Sequence, residues 1–355
     1  MTTRKQQLKK RITQLKEAEP KLRQRDLAHR AGISEAELLS LNLDGHCTQL
    51  VGDWKNLLET LRKMGYVMAL TRNEHAVHER KGVYDNIKFY GGAHNMGVAV
   101  NPDIDLRFFM NEWKYGFAVK MPRGNTTLHS FQFFNARGEA VHKIFSTPKS
   151  DIEVYEKISF LFRSPKQSLI TDVDISPTVT KKEKADKDID VKGFQEAWAS
   201  LEDTHDFFGM LKKYEVSRTQ GFRLAPAGYT QQIDNEAVVR TLSLAAEKKV
   251  SIMCFLHSKG CIQIHTGPVK NLKFFGDWYN VMDPKFNLHL KMSSIAQTWV
   301  VKKPTTDGIV TSLELFDANG ELITYFFGAR KPGKPELEDW RAVIKEVQAY
   351  TKVTR

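Results

Sequence analysis

A long internal repeat constrains the fold of this 355-residue chain more than any other feature. Three strings, NIKFYG at 86–91, FAVKMP at 117–122 and FNARGE at 134–139, return as NLKFFG at 271–276, WVVKKP at 299–304 and FDANGE at 316–321. Eleven of these eighteen positions are identical, and the offset changes only from 185 to 182 residues. This period is too long for a solenoid repeat. We therefore predict a tandem duplication.

Each half passes from helical spacing to short β-rich runs. In the first half, Trp54, Leu57, Leu58 and Leu61 follow helical spacing, and from Val67 onward the runs are typical of strands joined by Gly-containing hairpin loops. We expect an α+β fold in which each half is a helical segment plus a large antiparallel β-sheet meander. The expected boundaries are residues 1–170 for the first half, 171–190 for a linker with a charge run, and 191–355 for the second half.

The formal charge of +11 is concentrated in one arm, because residues 1–30 hold ten Lys/Arg against three acidic residues. No apolar run approaches the ~18 residues of a membrane span, and no apolar core follows the basic N-terminus as in a signal peptide. Cys47, Cys254 and Cys261 have no CxxC spacing, which favours reduced thiols in a cytoplasm over a thiolate zinc site. We expect a cytoplasmic protein without membrane insertion.

Residues 25–39 have the pattern of a helix-turn-helix, with Gly32 at the turn and Ser34 and Glu37 as a capping box. A DNA-binding regulator is therefore an alternative function. The second helix of this pattern carries two glutamates but no Arg, Lys, Asn or Gln to contact bases. A helical hairpin packed against the sheet is favoured, and nucleic acid is disfavoured as a partner.

The helix predicted to open the second half carries a histidine in its apolar stripe. Phe194, Trp198, Leu201, His205 and Phe208 are spaced to share one face, whereas the counterpart of His205 at offset 183 is Leu22. Two interpretations stay open: a core histidine bonded to a backbone carbonyl, or an axial ligand of haem iron. Haem also needs aromatic walls and cations for its propionates. The same half supplies Phe207 and Phe255 as walls and Arg218, Arg223, Lys302, Lys303 and Arg330 as cations.

The string Leu201-Glu-Asp-Thr-His205-Asp-Phe-Phe-Gly-Met-Leu-Lys, with Arg218 and Phe222-Arg223-Leu-Ala-Pro downstream, resembles the bacterial haemin-degrading and haemin-transport proteins of the HemS/ChuS type. The resemblance covers essentially the whole chain. It includes Asp103-Ile-Asp-Leu-Arg107-Phe-Phe and Phe327-Gly-Ala-Arg330-Lys-Pro-Gly. It implies a cytoplasmic protein that binds haem b in haem uptake and iron utilisation.

The resemblance also implies roles for individual residues. His205 would be the proximal ligand of the haem iron, and Arg107 would be a distal group that approaches across a cleft from the other half. Arg107 lies between Leu106 and Phe108 on a predicted strand and points to the opposite face from both, where a solvated surface arginine is the alternative. The resemblance implies instead that its guanidinium donates hydrogen bonds on the distal side. The resemblance further implies haem-edge or propionate contacts from Arg218, Lys303, Tyr325 and Arg330.

Catalysis stays open, because members of that family degrade haem, pass it to a separate oxygenase or mainly buffer it. A haem oxygenase-like activity would need an external electron donor, since no flavin motif is present. The alternative is a pure haem carrier. The implied partners are haem, an inner-membrane haem ABC transporter, and a downstream haem acceptor or reductase.

Overall fold

The structure is a computed structural model that describes residues 3–42, 45–92, 95–177, 183–331 and 333–350. The chain forms two units, and each includes a short segment from the sequence of the other. The first comprises Met1–Arg72, Glu79–Pro177 and His257–Gln263, and the second comprises Asn73–His78, Thr178–Leu256 and Ile264–Arg355. Within the predicted linker, residues 178–182 lie outside the described residues.

The first half of the sequence is helical at its start and end and β-rich between. Its helices are α1 (Arg4–Ala18), α2 (Gln24–Arg30), α3 (Glu35–Ser40), α4 (Trp54–Thr60) and α5 (Ile152–Leu161). Its strands are β1 (Cys47–Gln49), β2 (Gly65–Arg72), β3 (Ala76–Val83), β4 (Ile87–Tyr90), β5 (Met96–Val100), β6 (Asp105–Phe109), β7 (Tyr115–Arg123), β8 (Thr126–Phe134) and β9 (Ala140–Ser150).

The second half follows the same plan. Its helices are α6 (Val191–Ala199), α7 (Asp206–Tyr214), α8 (Arg218–Leu224), α9 (Ala237–Glu247) and α10 (Glu338–Tyr350). Its strands are β10 (Thr230–Ile233), β11 (Ile252–His257), β12 (Cys261–Gly267), β13 (Leu272–Phe275), β14 (Trp278–Met282), β15 (Phe286–Lys291), β16 (Gln297–Thr305), β17 (Gly308–Phe316) and β18 (Leu322–Gly328). None of the described helices is long and apolar enough to cross a membrane.

The strand order is the same in both units. In the first, β1-β7-β8-β9-β2 pair in that order and β4-β5-β6 form a second antiparallel run. In the second, the orders are β10-β16-β17-β18-β11 and β13-β14-β15. Equivalent residues pair in the two units, Lys120 with His129 in the first and Lys302 with Thr311 in the second. The register also shifts at equivalent points, after Phe133 and after Leu315. The predicted α+β duplication is confirmed.

Helices pack their apolar faces on these sheets. In the first unit, α4 buries Trp54, Leu57 and Leu58 in the core. In the second, α10 approaches the sheet closely at Trp340, and a Cβ at Gly328 would lie 2.6 Å from that side chain. Only a glycine fits this position without displacing the helix.

The helix predicted to carry His205 in an apolar stripe is in fact two helices, so that prediction is wrong. Helix α6 ends at Ala199 and α7 begins at Asp206, and Phe208 is 72% exposed. Within the connection, the Asp203 side chain accepts a hydrogen bond of 2.8 Å from the backbone N–H of His205. Such a side-chain bond competes with helical backbone bonding. His205 therefore does not share a face with Phe194 and Trp198.

The helix-turn-helix segment is a packed hairpin. Gly32 has φ +66°, and Ser34 and Glu37 form the predicted capping box. Most of α3 is buried, and Glu35 pairs with Arg72 and with Lys143, whose Nζ lies 2.8 Å from a Glu35 carboxylate oxygen. Helix α3 therefore does not present the exposed polar face that a DNA groove requires.

Candidate ligand site in the second unit

His205 is the N-cap residue of α7, and its side chain is 92% exposed. Its Nδ1 lies 2.7 Å from Oδ1 of Asp203. Its Nε2 has no hydrogen-bond partner among the described residues. Hydrogen bonds, rather than packing, therefore hold the imidazole, and Nε2 is available to a ligand. The interpretation of His205 as a core histidine is wrong.

Two cations meet one buried carboxylate beside α7. Glu314 on β17 accepts hydrogen bonds of 2.7 Å from Nε of Arg218, from Nζ of Lys303 and from Oγ of Ser312. Glu314 is fully buried, and Lys303 is 3% exposed. Because two positive groups face one negative group, this cluster carries an excess of one positive charge.

The charges act strongly on one another because water is excluded. Burial alone would raise the pKa of Glu314, but Arg218 and Lys303 outweigh it and lower that pKa to about 2. Burial lowers the pKa of Lys303 to about 8, because the opposing effect of the Glu314 charge is smaller than the effect of burial. For Arg218, Glu314 overcomes the burial and raises the pKa above its ordinary value. Glu314 is therefore ionised at neutral pH and paired with both basic groups.

Aromatic rings surround the guanidinium of Arg218. Its carbon lies 5.4 Å from the ring centre of Phe207 and 5.5 Å from that of Tyr325, within the range of cation–π attraction. Tyr325 stacks on Phe255, its partner across β11 and β18, with ring centres 4.9 Å apart and planes 13° apart. Phe255 and Tyr325 are half-buried, so this stacked pair offers flat apolar surface beside a cation.

The structure thus gathers Arg218, Lys303, Tyr325 and Phe255 into one cluster in the unit that holds His205. Two expected details differ. Phe207 lies under Lys303 in the core, so it is not an exposed wall. Lys303, which was expected at the haem edge or a propionate, is buried against Glu314.

Arg330 lies outside that cluster, and its charge acts on the Asp203 carboxylate that binds His205. Its Nη2 lies 3.5 Å from Oδ2 of Asp307. Its charge also helps to lower the pKa of Asp203, which the backbone N–H of His205 lowers most. The guanidinium is therefore a second positive group on the side of Asp203.

Arg107, the residue predicted for the distal side, lies on β6 of the first unit. Leu106 and Phe108 are fully buried on the other face of that strand, as the alternation predicts. The Arg107 guanidinium pairs with Asp105 and donates a bond of 3.1 Å to the Leu106 carbonyl. Burial raises the pKa of Asp105, and the Arg107 charge opposes this effect. About a third of the Arg107 side chain stays exposed.

The repeat explains why the first unit lacks a copy of the cluster. Ser34 and Ser217 cap equivalent helices, so Glu35 takes the place of Arg218. Gln132 pairs with Lys143 as Glu314 pairs with Tyr325, so Lys143 takes the place of the tyrosine. An ion pair therefore fills the position where the second unit has an arginine beside an aromatic ring.

Sequence analysis missed the two acidic partners, Asp203 and Glu314. Glu314 was detectable from the sequence, because it is a charged residue inside the apolar strand TSLELF. A charge buried in a strand needs a partner, so this position predicts one. Asp203 was also detectable, since an Asp two residues before a histidine can accept its backbone N–H.

No group of three or more His, Cys, Asp or Glu side chains that could hold a metal ion occurs within the described ranges. An exposed imidazole with an available Nε2, apolar ring surface and unbalanced positive charge in one unit define the class: a binding protein for a planar, anionic, metal-containing ligand.

Comparisons with known proteins agree with this class. Residues 32–160 and 215–347 match the haemin-degrading HemS.ChuX domain family. The chain is 37% identical over 322 residues to hemin transport protein HemS of Yersinia enterocolitica, covering 90% of this chain and 91% of HemS. This chain belongs to that family.

Solved structures show the same fold over the whole chain. Holo-PhuS, described as a heme-binding protein from Pseudomonas aeruginosa, is 42% identical with a TM-score of 0.93, covering 99% of this chain and 100% of PhuS. ChuS, described as an E. coli heme oxygenase, is 32% identical with a TM-score of 0.85, covering 96% of this chain and 99% of ChuS.

Proposed function

We propose that this protein binds haem through His205 and serves haem uptake and iron utilisation. The observation that carries the proposal is one exposed imidazole with an available Nε2, outside any cluster of metal-ligating side chains in the described parts of the chain. Haem iron suits such a site, because the porphyrin supplies the other ligands. The names of the relatives support the same ligand, since PhuS is called heme-binding and HemS is called a hemin transport protein.

The surrounding residues fit haem. Phe255 and Tyr325 offer ring surface to a planar macrocycle. Arg218 uses Nε for Glu314, which leaves its two terminal nitrogens for a propionate. Arg330 is a second cation for the haem edge. Lys303 acts through Glu314, since it is buried against that carboxylate.

Haem supplies redox chemistry when it is bound, while the protein holds and orients it. Several details remain predictions. They are the identity of the ligand as haem b, the cytoplasmic location, the ABC transporter and the acceptor or reductase as partners, and the domain boundaries at 170 and 190. For Arg107, the distal role also remains a prediction.

A haemin titration tests the binding proposal. The full chain and its His205→Ala variant are titrated while the Soret absorbance is followed. We expect the variant to bind more than about 100-fold more weakly, because loss of even an outer partner of a metal ligand costs 10–100-fold. His29→Ala, which removes an exposed histidine from α2, should bind as the wild type does. An unchanged curve for His205→Ala would overturn the proposal.

We propose further that the bound haem is degraded. The name of the matched family and the description of ChuS as a heme oxygenase support this activity. The loaded protein is given an external electron donor in the presence of catalase. We expect the Soret band to disappear and iron to be released, at a rate that Arg107→Ala lowers by roughly 100-fold, as when a charge-stabilising donor is removed. A Soret band that stays intact identifies a pure carrier instead.

A further inference from the structure

One carboxylate oxygen holds His205 at two points. Oδ1 of Asp203 lies 2.8 Å from the backbone nitrogen of His205 and 2.7 Å from its Nδ1. The first bond fixes the residue at the start of α7, and the second fixes the ring. Because the ring is almost fully exposed, no packing would otherwise restrict its orientation.

The two bonds also decide which ring nitrogen carries the proton. The backbone N–H of His205 donates to Oδ1 of Asp203, and an ionised aspartate carboxylate only accepts hydrogen bonds. The neutral imidazole must therefore donate from Nδ1, which leaves the lone pair on Nε2. This is the tautomer that can bind a metal through Nε2.

The repeat gives independent support. At offset 183, the counterpart of Asp203 is Pro20 and that of His205 is Leu22. The aspartate and the histidine therefore occur together in one half and are both absent from the equivalent place in the other. The fold of the helical segment does not require either of them.

We propose that Asp203 is a positioning residue, which fixes the Nδ1–H tautomer and the orientation of His205 before the ligand arrives and strengthens electron donation from Nε2 to the metal. Carboxylates that accept a hydrogen bond from a metal-bound histidine act in this way. The inference rests on the proposed function only for the identity of the metal, because the tautomer can be measured without any ligand.

The first experiment uses the haem-free protein. Two-bond ¹⁵N–¹H correlation spectra are recorded over a series of rising pH values, up to the point where the ring nitrogen shifts no longer change, so that the neutral ring is observed. The His205 signals are assigned by their loss in His205→Ala. We expect wild type to show the Nδ1–H tautomer and Asp203→Ala to show a mixture that includes Nε2–H. An Asp203→Ala spectrum with the wild-type tautomer would overturn the inference.

The second experiment measures haemin affinity and the iron–histidine stretching frequency of the ferrous complex. We expect Asp203→Ala to lose 10–100-fold in affinity and to lower the frequency, with Asp203→Asn between it and wild type, since an amide oxygen still accepts a hydrogen bond. Asp206→Asn is the matched control, because it removes an exposed carboxylate next to His205, and it should stay within about twofold of wild type.

The outcomes separate the two proposals. Haemin binding that survives His205→Ala overturns the proposed function and leaves the tautomer result intact. Haemin binding that is lost in His205→Ala but unchanged in Asp203→Ala, with an unchanged stretching frequency, overturns the role of Asp203 alone. An equal loss in Asp203→Ala and Asp206→Asn also overturns it, because local negative charge would then explain the effect.

Discussion

Glu314 is the residue on which the cation cluster depends. It is the shared acceptor for Arg218 and Lys303, and the latter has almost no access to water. Removal of this carboxylate would leave two positive charges at a buried position without their common partner. A buried charge that loses its partner is strongly destabilising, even though a complete buried pair adds little.

We therefore predict that Glu314→Gln lowers the free energy of unfolding by about 3–5 kcal/mol at neutral pH, measured by urea denaturation. Glu321→Gln, at an exposed hairpin position, should change it by less than about 0.5 kcal/mol.

The difference in unfolding free energy between wild type and Glu314→Gln should depend on pH. The folded-state pKa of Glu314 lies near 2 and its ordinary value is 4.5. Its stabilisation is thus complete above pH 4.5 and is lost as the pH falls toward 2. A difference between Glu314→Gln and wild type that stays constant across this window would contradict the prediction.

The prediction of His205 as a ligand rested partly on a helix pattern that the structure contradicts. The comparison with Leu22 and the family resemblance both pointed to it, but the apolar stripe did not exist. Periodicity reports which positions share a face only while the backbone stays helical. The Asp203 side chain interrupts that backbone, and spacing alone cannot show this competition.

Helix α3 has a structural role. Glu35 points inward to Lys143 and Arg72, so the helix is fixed to the sheet through a buried ion cluster. Lys143 and Arg72 lower the pKa of Glu35 although burial alone would raise it. The helix-turn-helix pattern was correctly predicted as a hairpin, since capping chemistry is local and the sequence contains it in full.

We predict that Glu35→Ala lowers the free energy of unfolding by about 3–5 kcal/mol, because Lys143 is left charged and buried. Glu17→Ala on α1 removes an exposed glutamate and should change the free energy by less than about 0.5 kcal/mol. Both are measured by urea denaturation in the same buffer. A Glu35→Ala protein as stable as Glu17→Ala would show that the cluster does not fix α3 to the sheet.

Strand pairings were the most predictable elements. The repeated strings fall on β4 and β13, on β7 and β16, and at the β8–β9 and β17–β18 hairpins. The β7–β8 and β16–β17 registers agree at an offset of 182 residues. Strand register follows from local alternation and turn residues, so the sequence contains it. The buried ion clusters were less predictable, because their members come from elements distant in the sequence.

For the whole molecule, the duplication shows how one fold can hold two different interiors. The second unit places Arg218 beside Tyr325, whereas the first pairs Glu35 with Lys143 at the equivalent positions. A propionate that approached the first position would meet a carboxylate in place of a guanidinium. The presence of His205 is therefore only one part of the difference between the two halves.

We predict that a histidine alone cannot transfer the site to the first unit. The double variant Leu22→His/His205→Ala should bind haemin as weakly as His205→Ala, within about threefold, because Pro20 provides no carboxylate for the new ring and Glu35 opposes an anionic ligand. Leu22→His alone should keep one haem per chain, since His205 is unchanged. Both are measured by Soret titration, with urea denaturation to verify folding. Recovery of wild-type affinity in the double variant would mean that the imidazole suffices, and that the charged and aromatic residues of the second unit do not define the site.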